Sequence, residues 1–178
     1  ADLESFFTDV EDAKGIPYKF KQRGGAGMNT EEYVRHEWFS MHGIALDWEP
    51  LNPNIWPQWY DERQFRYLAK EEDWSDVFLI SHHAHFDHFV LSHHYDVHPK
   101  MRGCTLSMAR LLLGNHISVS LDSVRKQFNL PAKITPYELF KGKHWHEMSP
   151  QVQEQVADGA IDEVRSIWKL FTLLGQDF

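Results

Sequence analysis

Val77-Phe78-Leu79-Ile80 is an unbroken run of four apolar residues followed by polar Ser81, His82 and His83. So short a run, rich in β-branched and aromatic side chains, predicts a fully buried strand. Upstream, Phe65, Leu68 and Ala69 recur at helical spacing within Asp61 to Glu71. The opening Leu3 to Glu11 reads as a short buried strand ending in acids, and Phe39 to Trp48 alternates well enough for a second strand. Strands alternating with helices predict an α/β layer architecture. Asn29 to Arg35 reads as an N-capped short helix with acids in its first turn. Arg23-Gly24-Gly25-Ala26-Gly27 reads as a flexible loop, and Pro50, Pro53 and Pro57 break the chain into another. Beyond Pro99, Thr105 to Leu113, Leu121 to Phe128 and Pro150 to Leu174 read as helices, so strands gather in the first half and helices in the second.

A chain of 178 residues, 42% hydrophobic and 14% aromatic, fills one domain over 1–178 and would be cramped as two. Its longest apolar stretches fall far short of the roughly 20 residues that span a bilayer, so a soluble protein without a membrane partner is expected. One cysteine, Cys104, and no signal-peptide pattern suit a reducing compartment. The cytosol is therefore expected, the host's if the chain is viral. The opening at Ala1 without an initiator methionine suggests a trimmed chain or a domain of a longer protein. A net charge of −8 argues against a protein that coats nucleic acid through lysine and arginine. It is compatible with an enzyme whose carboxylates hold divalent cations, because the cations then supply the charge that a phosphate meets.

Three acidic constellations could supply such ligands. In Asp9-Val10-Glu11, period-2 geometry puts both acids on one strand face. Asp87, within His82-His83-Ala84-His85-Phe86-Asp87-His88, lies near the first turn of a helix beyond the C-terminal end of a strand, where open α/β sheets place their ligands. On the last helix Asp162 borders the apolar stripe of Ile161, Val164, Ile167, Trp168, Leu170 and Phe171, and is expected to face the sheet while Glu163 faces water.

In order, these segments resemble the three exonuclease motifs of the RNase H-like 3′-to-5′ exonucleases whose metal ligands are Asp, Glu, Asp and Asp. Asp9 and Glu11 match the first motif, Phe86-Asp87 the second and Asp162 the third. The linking text resembles the proofreading exonuclease portion of bacteriophage family A DNA polymerases: Thr30 to Arg35 with Phe39 to Ala45, Phe86 to Pro99, Cys104 to Arg110, Ser120 to Val124 and Phe128 to Leu130. The resemblance implies an RNase H-like mixed sheet flanked by helices. It also implies a two-metal-ion phosphodiester hydrolase that releases nucleoside monophosphates from a single-stranded 3′ end of DNA or RNA, with a polymerase domain or replication partner nearby. Asp9, Glu11, Asp87 and Asp162 would hold two Mg2+ or Mn2+ ions, with Asp162 on the ion that activates water.

Two positions depart from the family. His83 stands where the second motif has Asn, and Asp158 stands where the third has the Tyr that orients the attacking water; the position of the alternative His is Ala157. Asp158 is then the candidate for the water-orienting catalytic role, with His144 or His146 as alternatives. The terminal base would stack on Phe86 beside His83 or on a Trp of the first half. Lys100, Arg102, Lys141 and Lys143 would track the backbone.

His83 to His88 also spells the His-x-His-x-Asp-His signature of metallo-β-lactamase-fold zinc hydrolases, and imidazoles on a loop are good zinc ligands. That fold needs further ligands on strand ends downstream, where this sequence reads as helix. A third possibility is a catalytically weak module that binds nucleic-acid ends. Against it, converging carboxylates repel one another unless a cation is used.

Overall fold

The computed structural model describes residues 1–21, 25–114 and 116–176; Arg23 and Gly24 of the glycine-rich loop lie outside them. The chain is mixed α/β. β1 (Asp2–Ser5) pairs antiparallel with β2 (Met41–Leu46), setting Asp2 opposite Ala45 and Glu4 opposite Gly43, and β2 pairs antiparallel with β3 (Gln58–Asp61). β4 (Phe78–Ser81) and β5 (Met101–Cys104) form a parallel pair. Parallel neighbours need a long connection, and α3 (Ala84–Tyr95) supplies it. The amine of Ala1 donates to the Ile80 carbonyl at 2.6 Å, so the start of β1 lies against β4.

The helices form where local signals ask for them. Asn29 and Asp61 close capping boxes on α1 (Thr30–Val34) and α2 (Glu62–Glu71), each side chain accepting from an otherwise unpaired N–H of the first turn. α4 (Thr105–Leu113) and α5 (Leu121–Gln127) fall where helical spacing predicts them, and a short α6 (Tyr137–Phe140) follows. α7 (Pro150–Gly175) starts with Ser149 as N-cap and Pro150 at its first position, where a missing N–H costs nothing. It runs against β1 to β4 and α4.

β3 and β5 are additions to the elements expected from sequence. Each is only four residues long, too short for alternation to stand out. The first strand is shorter than expected. It bulges between Glu4 and Ser5, and residues 8–18 then fold back on themselves: Thr8 N–H donates to Tyr18 and Tyr18 N–H to Val10. The Asp12 carboxylate, accepting from Lys14 and Ile16 N–H, and Gly15 at φ 71 close that turn. Asp9-Val10-Glu11 therefore sits in a surface hairpin and not on the strand. Among the described residues no helix is long and apolar enough to cross a membrane.

Candidate metal centre

Successive side chains of a strand point to opposite faces, so Asp2 and Glu4 share one face of β1. α7 crosses that face, with Ala160 and Val164 packed on Ala45 of β2. This rotation of the helix turns Glu163 inward, 2% exposed. Asp2, Glu4 and Glu163 each offer a carboxylate oxygen within 4.8 Å of the others. Asp87 enters from the first turn of α3, buried, and lines the same cavity of about 630 Å³. Three carboxylates from β1 and α7 thus meet at one place, and Asp87 of α3 lies on the wall of the same cavity.

Their electrostatics follow from crowding and burial. Burial, then the charge of Glu163, pushes Glu4 up to about 8, with Lys133 opposing and Asp87 adding to the rise. Burial, then Glu163, Glu4 and Asp87, holds Asp2 well above the usual carboxylate range. Asp87 is raised to about 6 by burial, against the Ser81 hydroxyl and the N-terminal amine. Groups forced together in this way favour protons, or a cation that replaces them. The Asp2 Oδ2 atom is buried with no hydrogen-bond partner, and the fully buried Ser81 hydroxyl beside Asp87 also lacks a bond of ordinary geometry. Glu163 is satisfied: Lys133 Nζ lies 2.8 Å from Oε2, and the Thr135 hydroxyl donates to Oε1. Clustered oxygen donors with one orphaned oxygen fit a hard divalent cation such as Mg2+ or Mn2+ better than zinc.

Of the residues singled out in the sequence, Asp87 lines this cavity, buried, beside the group; Asp9, Glu11 and Asp162 do not join it. Asp9 is exposed at the rim of the cavity, between Lys19 at 2.5 Å and Lys141. Those two ammonium groups bring its carboxyl down to about 2. Glu11 is exposed in the hairpin, paired through its backbone with Pro17. The expected faces of Asp162 and Glu163 are reversed. Asp162 turns to Arg125, 2.7 Å away, and Glu163 to the sheet. Glu163 lies seven residues after Val156 and four before Ile167, both buried, so it continues the packed stripe; Asp162 lies about 100° round the helix. Asp158 is exposed. At the position that does share Glu163's face, one turn earlier, stands Gly159, buried.

Asp2-x-Glu4 repeats the pattern of Asp9-x-Glu11 seven residues earlier, so the pair was visible as a motif. The apolar neighbours Leu3 and Phe6, both buried, separate it from Asp9-Val10-Glu11, whose Val10 is 61% exposed. Phe86 and His83 both line the cavity, but Phe86 is packed edge-on against Phe20 and Tyr33. Phe20, half-buried on the same wall, offers the more accessible ring. Lys141 reaches the rim; Lys100 pairs instead with Asp76 and Lys143 with the Leu139 carbonyl. His144 stacks on Phe6 and on His146.

The histidine run does not assemble a zinc site. Among the described residues Asp2, Glu4 and Glu163 are the one group of three or more potential ligands so gathered. His82 spends both ring nitrogens on Thr105 and the Val119 carbonyl, His85 is exposed, and His88 is buried without a polar partner. Comparison with protein-family models, with curated proteins and with solved structures finds no match to this chain.

Proposed function

We propose that the chain is a metal-dependent 3′-to-5′ exonuclease whose ligands are Asp2, Glu4, Asp87 and Glu163. The observation that carries this is the gathering of the Asp2, Glu4 and Glu163 carboxylates in one cavity whose wall also holds the buried Asp87. Such a cluster costs folding energy unless cations are bound. Asp2-x-Glu4 on a first strand, Asp87 behind Phe86, and an acid on the last helix keep the order of the three motifs, with Glu163 in place of Asp. The strand pattern supports an RNase H-like sheet: β1, β2 and β3 antiparallel, β4 and β5 parallel, and Ala1 joining β1 to β4.

The four carboxylates would hold two divalent ions, which supply a nucleophilic water and neutralise charge on the phosphate during in-line displacement. The residues around them account for substrate. Lys19 and Lys141 give the acidic cavity a basic rim for the backbone, and Phe20 offers a ring to a terminal base without selecting among bases.

The test is incubation of purified protein with 5′-labelled single-stranded DNA and RNA in Mg2+, Mn2+ or EDTA. Stepwise shortening from the 3′ end that EDTA abolishes is expected. No shortening with either metal, at protein in excess over substrate, would overturn the proposal.

A further inference from the structure

Gly159 sits one turn before Glu163 on the same helical face, and a side chain there would look toward the carboxylates. None fits. A Cβ at 159 would lie 2.7 Å from the Thr135 hydroxyl oxygen and 2.9 Å from the Thr135 Cα. Thr135, in the connection between α5 and α6, fills this space, with Lys133 before it and Tyr137, the first residue of α6, after it. The Thr135 hydroxyl donates to one oxygen of Glu163, and Lys133 Nζ lies 2.8 Å from the other. Lys133 Nζ also donates to the Tyr137 phenol oxygen at 2.6 Å. A phenol that accepts from an ammonium keeps its own proton to donate, to the neighbouring Thr135 hydroxyl or to a water in the cavity. Tyr137 is 38% exposed and, like Lys133, lines the cavity, so a substrate can reach both.

The segment is fixed from behind. Arg125, completely buried, donates through Nε to the Pro131 carbonyl at 2.6 Å and through Nη2 to the Ala132 carbonyl at 3.2 Å. The same Nη2 holds Asp162 at 2.7 Å. One planar guanidinium thereby ties α5 and α7 to the two residues before Lys133.

We infer that Lys133 and Tyr137 are catalytic residues of the exonuclease proposed above, supplied by the 131–137 segment whose Thr135 occupies the place of a side chain at 159. In the hydrolysis, water oxygen bonds to phosphorus as the P–O3′ bond breaks; a water proton leaves to solvent, and the 3′ oxygen takes one up. Tyr137 orients the attacking water with its hydroxyl, and the Lys133 ammonium faces a non-bridging phosphate oxygen. Asp162, through Arg125, is a positioning residue and touches no substrate. The inference rests on the nuclease reading of the site.

Single-turnover cleavage of a labelled single-stranded oligonucleotide tests it, with melting temperature and Mn2+ dependence measured on the same variants. Tyr137→Phe and Lys133→Met are each expected to slow the step by about tenfold or more. For Tyr137→Phe, half-saturating substrate and Mn2+ should stay within about twofold of wild type, as expected where an interaction is made only in the transition state; Lys133→Met also frees the Glu163 carboxylate, so its rate is compared at saturating Mn2+. Lys133→Arg should recover part of the rate, because it restores a cation. Asp162→Asn should slow the step by a smaller factor, about threefold, without changing Mn2+ dependence. Should wild type cleave while Tyr137→Phe and Lys133→Met stay within about twofold of it, this inference fails and the metal centre stands. Should wild type itself fail to cleave, the nuclease reading falls and takes this assignment with it.

Discussion

Glu4 is the residue whose surroundings oppose its charge most visibly. With its carboxyl raised from 4.5 to about 8, the folded chain without metal holds a proton that the unfolded chain releases. Its contribution to stability is therefore complete below pH 4.5 and is lost as pH rises toward 8. Thermal melts in EDTA from pH 5 to 9 should show wild type losing stability along this range, and Glu4→Gln losing less. The slope will not vanish in the variant, since Asp2 and Asp87 are raised as well. An unchanged slope would remove Glu4 from the buried cluster. Asp9 is the opposite case, an exposed carboxylate pinned by two lysines at the cavity rim. Asp9→Asn frees Lys19 and Lys141 to meet phosphate. Binding of a single-stranded oligonucleotide should tighten at low salt and depend more steeply on salt than in wild type. Loss of cleavage with binding intact would instead return Asp9 to the ligand set.

At the scale of elements, α7 decides the site because it is a rigid rod seated by its apolar face. Val156, Ala160, Val164, Ile167, Leu170 and Leu174 are all buried, and Glu163 is carried inward with them. Leu170 is completely buried against the cluster that joins α4, α5 and α7. Leu170→Ala is expected to cost about 2–5 kcal/mol in urea unfolding. Ser149→Ala, removing only the N-cap acceptor for Val152 N–H, should cost about 1 kcal/mol. Equal losses in the two variants would mean that α7 is not anchored through this face. The helix itself was legible from periodicity over Pro150 to Leu174. Its rotation was not, because Asp162 and Glu163 differ by one residue, about 100° of arc, and only the contact of Ala160 and Val164 with Ala45 selects between them.

For the whole molecule, metal binding, proton release and stability should be one linked equilibrium. Cations that bind the folded chain alone raise its melting temperature, by about 2.7 kcal/mol of stabilisation at a hundredfold excess over Kd. At pH 6 an incoming cation must displace a proton from Glu4; at pH 8 Glu4 is half deprotonated. The rise in melting temperature with Mn2+ is therefore expected to be larger at pH 8 than at pH 6. A rise that is the same at both, or absent, would show that the carboxylate cluster is not where the metal binds.

Local interactions are written in neighbouring residues, and those were readable in the sequence. The capping signal at Asn29, the apolar run before Ser81 and the helical spacing of α4, α5 and α7 each depend on a few adjacent side chains. The placement of Asp87 at the start of a helix beyond a strand follows from the same local signals. The choice among acids is different in kind. Asp2-x-Glu4 and Asp9-x-Glu11 carry the same local pattern, and Asp162 and Glu163 are neighbours on one helix. Which pair meets Asp87 depends on the bulge after Glu4, the turn closed by Asp12 and Gly15, and the rotation of α7 on β2. Each of these is set by contacts between residues distant in the chain, and tertiary packing alone brings them into being.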